Sequence, residues 1–178
     1  MRPAALVAVA VLAAGCRTTT LRESLHAPTT GNARAALEPT KGNATRGTVS
    51  FAQRGDKVFV TANVSGLKPN AEHGFHVHEK GDCSSGDGMS AGGHYNPAGK
   101  PHGHHGAPER HVGDMPNLKA DGSGNARASF EVPGMSIGGG NADIVGKGLI
   151  VHRDPDDYKS QPAGNAGPRL ACAVIQKL

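Results

Sequence analysis

The sequence has 178 residues, and its 19 Lys and Arg against 15 Asp and Glu leave a formal net charge of only +4 at neutral pH. A charge this mild, without a cluster of basic residues or a set of stacking aromatics, gives no case for nucleic-acid binding. The 26 Gly and 12 Pro residues indicate many turns that join short strands, rather than long helices.

The first segment of the chain, residues 1–15, has the pattern of a signal peptide. An apolar run from Ala4 to Ala14 follows one Arg, and it is shorter than the about 20 residues that a membrane span needs. The ending "LAAGC" resembles a bacterial lipoprotein box, in which cleavage leaves Cys16 as the lipidated first residue; ordinary cleavage nearby is the alternative. We therefore expect an exported protein, held to a membrane of a bacterial cell envelope through Cys16 and facing the periplasm or the surface.

The next segment, residues 16–32, is rich in Thr, Ser and Pro and lacks periodicity, which predicts a flexible tether. A single domain is expected over residues 33–178. Export permits disulfides. With Cys16 assigned to the lipid, Cys83 and Cys172 either pair with each other or remain free buried thiols.

Alternating apolar and polar residues then predict a series of strands. The segments "GTVSFAQ" and "KVFVTANVSG" flank "RGD" and predict a hairpin. The segments "EHGFHVHE", "ARASFEV", "GLIVHRD" and "RLACAVIQ" continue the series. Because no helical period of useful length appears, we predict an all-β sandwich or barrel. Residues 79–118 and 153–168 do not fit as strands, and loops this long inside a compact domain are usually functional or disordered.

The strand "FHVH" carries a pair of candidate copper ligands. Alternate residues of a strand point to opposite faces, so His76 and His78 project together, away from Phe75 and Val77. His152 lies at the end of a later strand, and a set of imidazoles favours Cu(II). One further histidine would complete this set. His73 has the parity of the inward-facing residues, and we expect a hydrogen-bonded core histidine.

The first long loop carries a candidate zinc set. His94, His102, His111 and Asp114 supply three imidazoles and one carboxylate, which suits four-coordinate Zn²⁺. A bound zinc would also order a loop so rich in Gly. His104 and His105 could replace His102 in principle, although the even spacing of the histidines favours His102.

Five motifs in order resemble the successive motifs of copper–zinc superoxide dismutases over residues 33–176. They are "GFHVHEKGDC", "GGHYNP", "ERHVGD", "VHRDPDDY" and "GNAGPRLACAVI". The resemblance implies an eight-stranded Greek-key β-barrel with two long functional loops, one copper and one zinc per chain, and conversion of superoxide to O₂ and H₂O₂.

The resemblance also implies a role for each matching residue. His94 would bridge both metals and act with Arg169 in catalysis, and Asp156 would hydrogen-bond one ligand of each metal. Cys83 and Cys172 would form the family disulfide. The implied copper ligands are His76, His78, His94 and His152, and the implied zinc ligands are His94, His102, His111 and Asp114.

We expect this enzyme to protect the envelope from external superoxide. Two other hypotheses are a catalytically idle copper- and zinc-binding module and a purely structural zinc domain. The sequence leaves a monomer and a homodimer both open.

Overall fold

The computed structural model describes residues 31–178, and over this range the protein is built from antiparallel strands, with a single 3₁₀ turn at Met89–Ala91. The predicted signal peptide, Cys16 and all but the end of the tether lie outside the described residues. The strands are β1 Asn32–Pro39, β2 Arg46–Arg54, β3 Lys57–Ser65, β4 Glu72–His73, β5 Phe75–His78, β6 Leu118–Lys119, β7 Ala126–Pro133, β8 Gly148–His152, β9 Arg169–Val174 and β10 Gln176–Lys177.

Eight of these strands form one curled sheet, which confirms the predicted all-β, eight-stranded architecture. Its order is β5-β8-β9-β1-β2-β3-β7, with β10 also paired to β1. The non-consecutive neighbours in this order are the crossovers expected of a Greek key. The remaining two strands, β4 and β6, pair separately.

The predicted hairpin is confirmed as β2 and β3, which pair over their full length from Arg46 opposite Ser65 to Arg54 opposite Lys57. Gly55 in its turn has a φ of 60°, a conformation that glycine adopts without a steric penalty. Val58, Val60 and other alternate residues are buried, while their sequence neighbours are more exposed. One face of the hairpin therefore builds the core, as the period of two predicts.

Strand β1 was missed by the sequence interpretation, although it joins β2 to β9 and β10. Its inward residues are Ala33, Ala35 and Leu37, all buried. Alanine is a weak apolar signal, so a strand that buries two alanines and one leucine gives little periodic contrast.

The segment "EHGFHVHE", predicted as one strand, is divided at Gly74. Residues on its two sides pair with different strands, β4 with β6 and β5 with β8. The Gly74 N–H donates to the Asp154 carbonyl, and a Cβ at this position would lie 2.8 Å from the Ala166 side chain. The close approach of the second long loop therefore interrupts the strand.

The two long loops lie against one end of the sheet. The first loop contacts β5 through isolated bridges that pair His76 with Asp114 and His78 with His94. As a result, all four residues of β5 are buried, on both faces of the strand. Among the described residues, none belongs to a helix with the length and apolarity needed to cross a membrane.

Candidate metal centre

Strands β5 and β8 place the first three histidines. The strands pair so that Phe75 lies opposite Val151 and His76 opposite Ile150, and an irregularity in register follows between β8 and β9 at Val151 and His152. His76, His78 and His152 then converge with His94 from the first loop, with one ring nitrogen of each within 4.8 Å of the others.

Backbone carbonyls orient two of these rings. Nδ1 of His78 lies 2.9 Å from the Gly92 oxygen, and Nδ1 of His152 lies 3.1 Å from the Gly167 oxygen. With Nδ1–H donating in each ring, both Nε2 atoms keep a free lone pair. These two Nε2 atoms are 3.4 Å apart, so both point into the same space.

A second set consists of His94, His102, His111 and Asp114, which are all buried. Oδ1 of Asp114 lies 2.9 Å from Nδ1 of His94, 3.1 Å from Nδ1 of His102 and 3.4 Å from Nδ1 of His111. The Nδ1 atoms of His94 and His111 are 3.4 Å apart. Ligands about 2.0 Å from a tetrahedral zinc are about 3.3 Å from one another, so this spacing suits Zn²⁺.

His94 belongs to both sets through opposite edges of one ring. Its Nδ1 faces Asp114, while its Nε2 is buried and has no hydrogen-bond partner among residues 31–178. The ring stacks on His76, with centroids 4.0 Å apart. An imidazole in this position can bind one metal through each nitrogen.

Asp156 supports one histidine of each set. Its Oδ2 lies 2.8 Å from Nε2 of His76 and its Oδ1 lies 2.9 Å from Nε2 of His102. These bonds turn Nδ1 of both rings inward. Within residues 31–178, Nδ1 of His76 has no hydrogen-bond partner, and Nδ1 of His102 lies 3.1 Å from Oδ1 of Asp114. Buried, unpartnered nitrogens are costly unless something binds them, so the donor atoms fit two metal ions.

Burial and hydrogen bonds shift the pKa values of three histidines and Asp114 toward the protonation state that binds metals. Burial, reinforced by neighbouring histidines, lowers the pKa of His94 to about 4 and lowers the pKa values of His78 and His152 well below the usual range. Although burial opposes ionisation of Asp114, hydrogen bonds from three histidines hold its carboxyl pKa far below the ordinary value. His78, His94 and His152 therefore offer neutral nitrogens to a cation, and Asp114 offers a negative charge.

His102 differs from the other histidines. Burial lowers its pKa, but hydrogen bonds to Asp114 and Asp156 outweigh burial and raise the pKa to about 9. Without a metal, a proton on His102 thus lies between two carboxylates. A divalent cation would replace that proton and satisfy the same negative charges.

A cleft of about 270 Å³ leads to the first set of histidines. Its lining includes His78, His94, His152 and Arg169. The Arg169 guanidinium, half-buried on β9, donates to the Gly88 and Gly92 carbonyls. These bonds fix a positive charge beside the histidines, in a cleft of a size that admits a small anion.

A disulfide links the first loop to β9. Cys83 and Cys172 are joined with an S–S distance of 2.03 Å, which confirms the pairing and excludes free thiols. Arg169 and Cys172 lie on the same strand, β9. The disulfide therefore holds the carbonyls of the first loop close to the Arg169 guanidinium, from which they accept hydrogen bonds.

Histidines outside the two sets have different surroundings. Nδ1 of His73 lies 2.9 Å from the His152 carbonyl, which confirms the expected hydrogen-bonded core histidine. The rings of His104 and His105 contact each other at a tilt of 38° beside Tyr158, and neither histidine belongs to the two sets described here.

The sequence interpretation missed Asn117. Its side-chain amide donates to the Asp156 carbonyl and accepts from the Asp156 N–H, both at 3.0 Å. Asn117 therefore fixes the backbone of the carboxylate that supports both sets. A single Asn in an irregular segment carries no periodic or spacing signal that could have identified it.

Comparisons with known proteins point to one family. The model of the copper/zinc superoxide dismutase family matches residues 45–175. The chain is 42% identical over 134 residues to Cu-Zn superoxide dismutase 2 of Aquifex aeolicus (strain VF5), covering 73% of this chain and 78% of that protein. It is 44% identical over 136 residues to the Cu-Zn superoxide dismutase of Paramecium bursaria Chlorella virus 1, covering 73% and 72%.

A solved structure agrees with the fold. The crystal structure of the clock protein EA4 superposes with a TM-score of 0.76 at 40% sequence identity, covering 86% of this chain and 99% of that chain.

Proposed function

The chain belongs to the copper/zinc superoxide dismutase family, and from that premise we propose that it is exported and anchored to a bacterial envelope, where it removes external superoxide. The enzymatic activity follows from the family: two superoxide anions and two protons become O₂ and H₂O₂, with copper and zinc as cofactors. The hypotheses of an idle metal store and of a structural zinc domain are therefore not retained.

Two sets of residues would hold the metals. When bound, copper supplies the redox chemistry by changing valence between successive superoxide anions, and zinc, which has no redox step, holds the shared ring. The proposed copper ligands are His76, His78, His94 and His152, and the proposed zinc ligands are His94, His102, His111 and Asp114.

Arg169 would attract and hold the anionic substrate. Its two terminal nitrogens donate to backbone carbonyls, which fixes the guanidinium at the side of the cleft. A guanidinium has five N–H donors, so donors remain for superoxide. A fixed charge in a cleft of low dielectric stabilises an anion without reorganisation.

His94 would carry a proton in the reaction. Its Nε2 faces the copper-side histidines and has no protein partner, whereas its Nδ1 lies against Asp114. The ring can therefore hold a proton at Nε2 and deliver it to the departing peroxide while Nδ1 keeps the ring in place. Asp156 would maintain the orientation of His76 and His102 meanwhile.

The observation that carries the envelope proposal is the disulfide between Cys83 and Cys172. Structural disulfides persist in the periplasm and other oxidising compartments and are rare in the cytosol. The apolar run from Ala4 to Ala14 and the "LAAGC" ending support the proposed export signal and the lipidation site at Cys16.

Expression of the full chain in a bacterium, with radiolabelled palmitate, tests this proposal. The native chain should carry label and place its superoxide-consuming activity in the membrane fraction. The matched Cys16→Ser variant should lose the label and the membrane association but keep its specific activity. An unlabelled native chain with cytosolic activity would contradict the proposed location.

A further inference from the structure

The side chain of Gln161 joins the two long loops by two hydrogen bonds to one residue. Its Oε1 accepts from the His102 N–H at 2.8 Å, and its Nε2 donates to the His102 carbonyl at 2.8 Å. The two residues are 59 positions apart in the chain, on the second and the first loop respectively. One amide thus satisfies both polar groups of a single residue's backbone.

These bonds complete the restraint on His102. Its ring is held at Nε2 by Asp156, while its Nδ1 lies 3.1 Å from Oδ1 of Asp114. The ring contacts set the rotation of the imidazole, but they do not set the position of the backbone that carries it. Gln161 supplies that second restraint, in a loop whose many glycines give it little stiffness of its own.

Gln161 also lies in the wall of the substrate cleft. It lines the cleft together with Pro162 and Ala163, as do three of the histidines and Arg169. The residue that holds the zinc-side backbone is therefore part of the surface that superoxide passes.

We propose that Gln161 is a positioning residue that holds His102 in the zinc set and couples zinc binding to the order of the cleft wall. This inference rests on the proposed zinc ligands. Removal of the two bonds leaves the His102 backbone free to move away from the zinc, so zinc leaves faster. Loss of a partner that orients a metal ligand costs 10–100-fold in affinity, and we expect the low end of this range, about tenfold, because Gln161 is exposed.

The test uses the copper- and zinc-loaded protein and a graded pair of variants. Gln161→Glu keeps an oxygen that can accept from the His102 N–H but loses the donor, and Gln161→Met keeps the length and loses both bonds to His102. Both variants also lose the 3.3 Å bond from Nε2 to the Lys159 carbonyl in the same loop, so a difference between them reports on His102. Zinc release into an excess of a colorimetric chelator should be slowest in the native protein, intermediate in Gln161→Glu and about tenfold faster in Gln161→Met. Hydrogen exchange at residues 161–167 should increase in the same order.

Lys159→Ala is the matched control. Lys159 is exposed on the same loop, and within residues 31–178 its ammonium makes no hydrogen bond or ion pair. This variant should release zinc at the native rate. The copper absorption and its rate of loss should match those of the native protein in all variants while zinc remains bound.

Three results would overturn the inference. Native zinc release in Gln161→Met would show that the two bonds do not hold the ligand. Equal acceleration of zinc and copper loss would indicate general loosening of the fold instead of positioning. A native protein that binds copper but no zinc would overturn the proposed zinc set, and the role of Gln161 with it.

Discussion

The strand region β2–β3–β7 and the two long loops are ordered by different means. Strand β3 pairs along its length with β2 on one side and β7 on the other, and its inward side chains form a continuous apolar core. Residues 79–117 and 153–168 have little regular structure. They are held by the Cys83–Cys172 disulfide and by polar side chains such as Asp156, Asn117 and Gln161.

Because the two regions are ordered by different means, we expect the strands mainly to determine the stability of the fold and the loops mainly to determine metal binding. Apolar burial is non-directional and adds up over many residues, so a change in the strands lowers the free energy of unfolding. A hydrogen bond to one ring nitrogen is directional, so a change in the loops alters the position of a ligand atom. We expect substitutions in the two regions to have distinct effects.

The largest effect is expected from Phe51→Ala in β2. Phe51 is 1% exposed and pairs with Val60 at the centre of the sheet. Truncation of a core Phe costs about 3–5 kcal/mol through lost transfer free energy and a cavity. Denaturant unfolding of the metal-free protein measures this loss, and the folded fraction should still release zinc at the native rate. Ser50→Ala, on the exposed face of the same strand, is the control. Equal losses of unfolding free energy in Phe51→Ala and Ser50→Ala would contradict the assignment of stability to the apolar core.

The next effect is expected from His94→Ala in the first loop. The variant loses the ring shared by both sets, so superoxide consumption should fall by more than 100-fold, or more than about 2.7 kcal/mol at 1.36 kcal/mol per decade. The unfolding free energy of the metal-free protein should change less than in Phe51→Ala. His104→Ala, outside both sets, should keep native activity. Full activity in His94→Ala would exclude the shared ring.

A smaller effect is expected from Asp156→Asn. The amide keeps the shape of the carboxylate but has one acceptor oxygen for two histidines, so one of His76 and His102 loses its support. Metal affinity should fall by 10–100-fold, or about 1.4–2.7 kcal/mol. Asp157→Asn is the matched control, since Asp157 bonds within its own loop. Native retention of both metals in Asp156→Asn would refute the role of this carboxylate.

The smallest effect is expected from Arg169→Gln. Loss of the positive charge should slow turnover by about tenfold and weaken the dependence of the rate on ionic strength. Arg169→Lys keeps the charge but not the planar fork, so it should retain the salt dependence while turning over more slowly than native. Rates measured across a salt series distinguish the two variants. An unchanged salt dependence in Arg169→Gln would rule out steering by this residue.

Strong local patterns predicted strands correctly, whereas they did not predict contacts between segments that are distant along the chain. The β2–β3 hairpin was predicted because its alternation is strong and its partner is the next segment of the chain. Strand β1 was not predicted, because its buried alanines give little contrast, even though it pairs with the next strand, β2, as well as with β9 and β10. The break at Gly74 depends on the backbone of Asp154, which no local pattern reports.

By itself the sequence determined the strand period, the disulfide-compatible cysteines and the types of donor available for a metal. Only the tertiary structure decided which ring nitrogen points where: Nε2 of His78 and of His152 meet although the residues are 74 positions apart. The motif resemblance implied that Asp156 supports a histidine of each set, and the structure shows the two contacts, at 2.8 and 2.9 Å. The physical reason is the distance along the chain between the residues that interact. Residue order and period describe neighbours along the chain, whereas the spacing of ligand atoms depends on long-range strand pairing and on single bonds between loops.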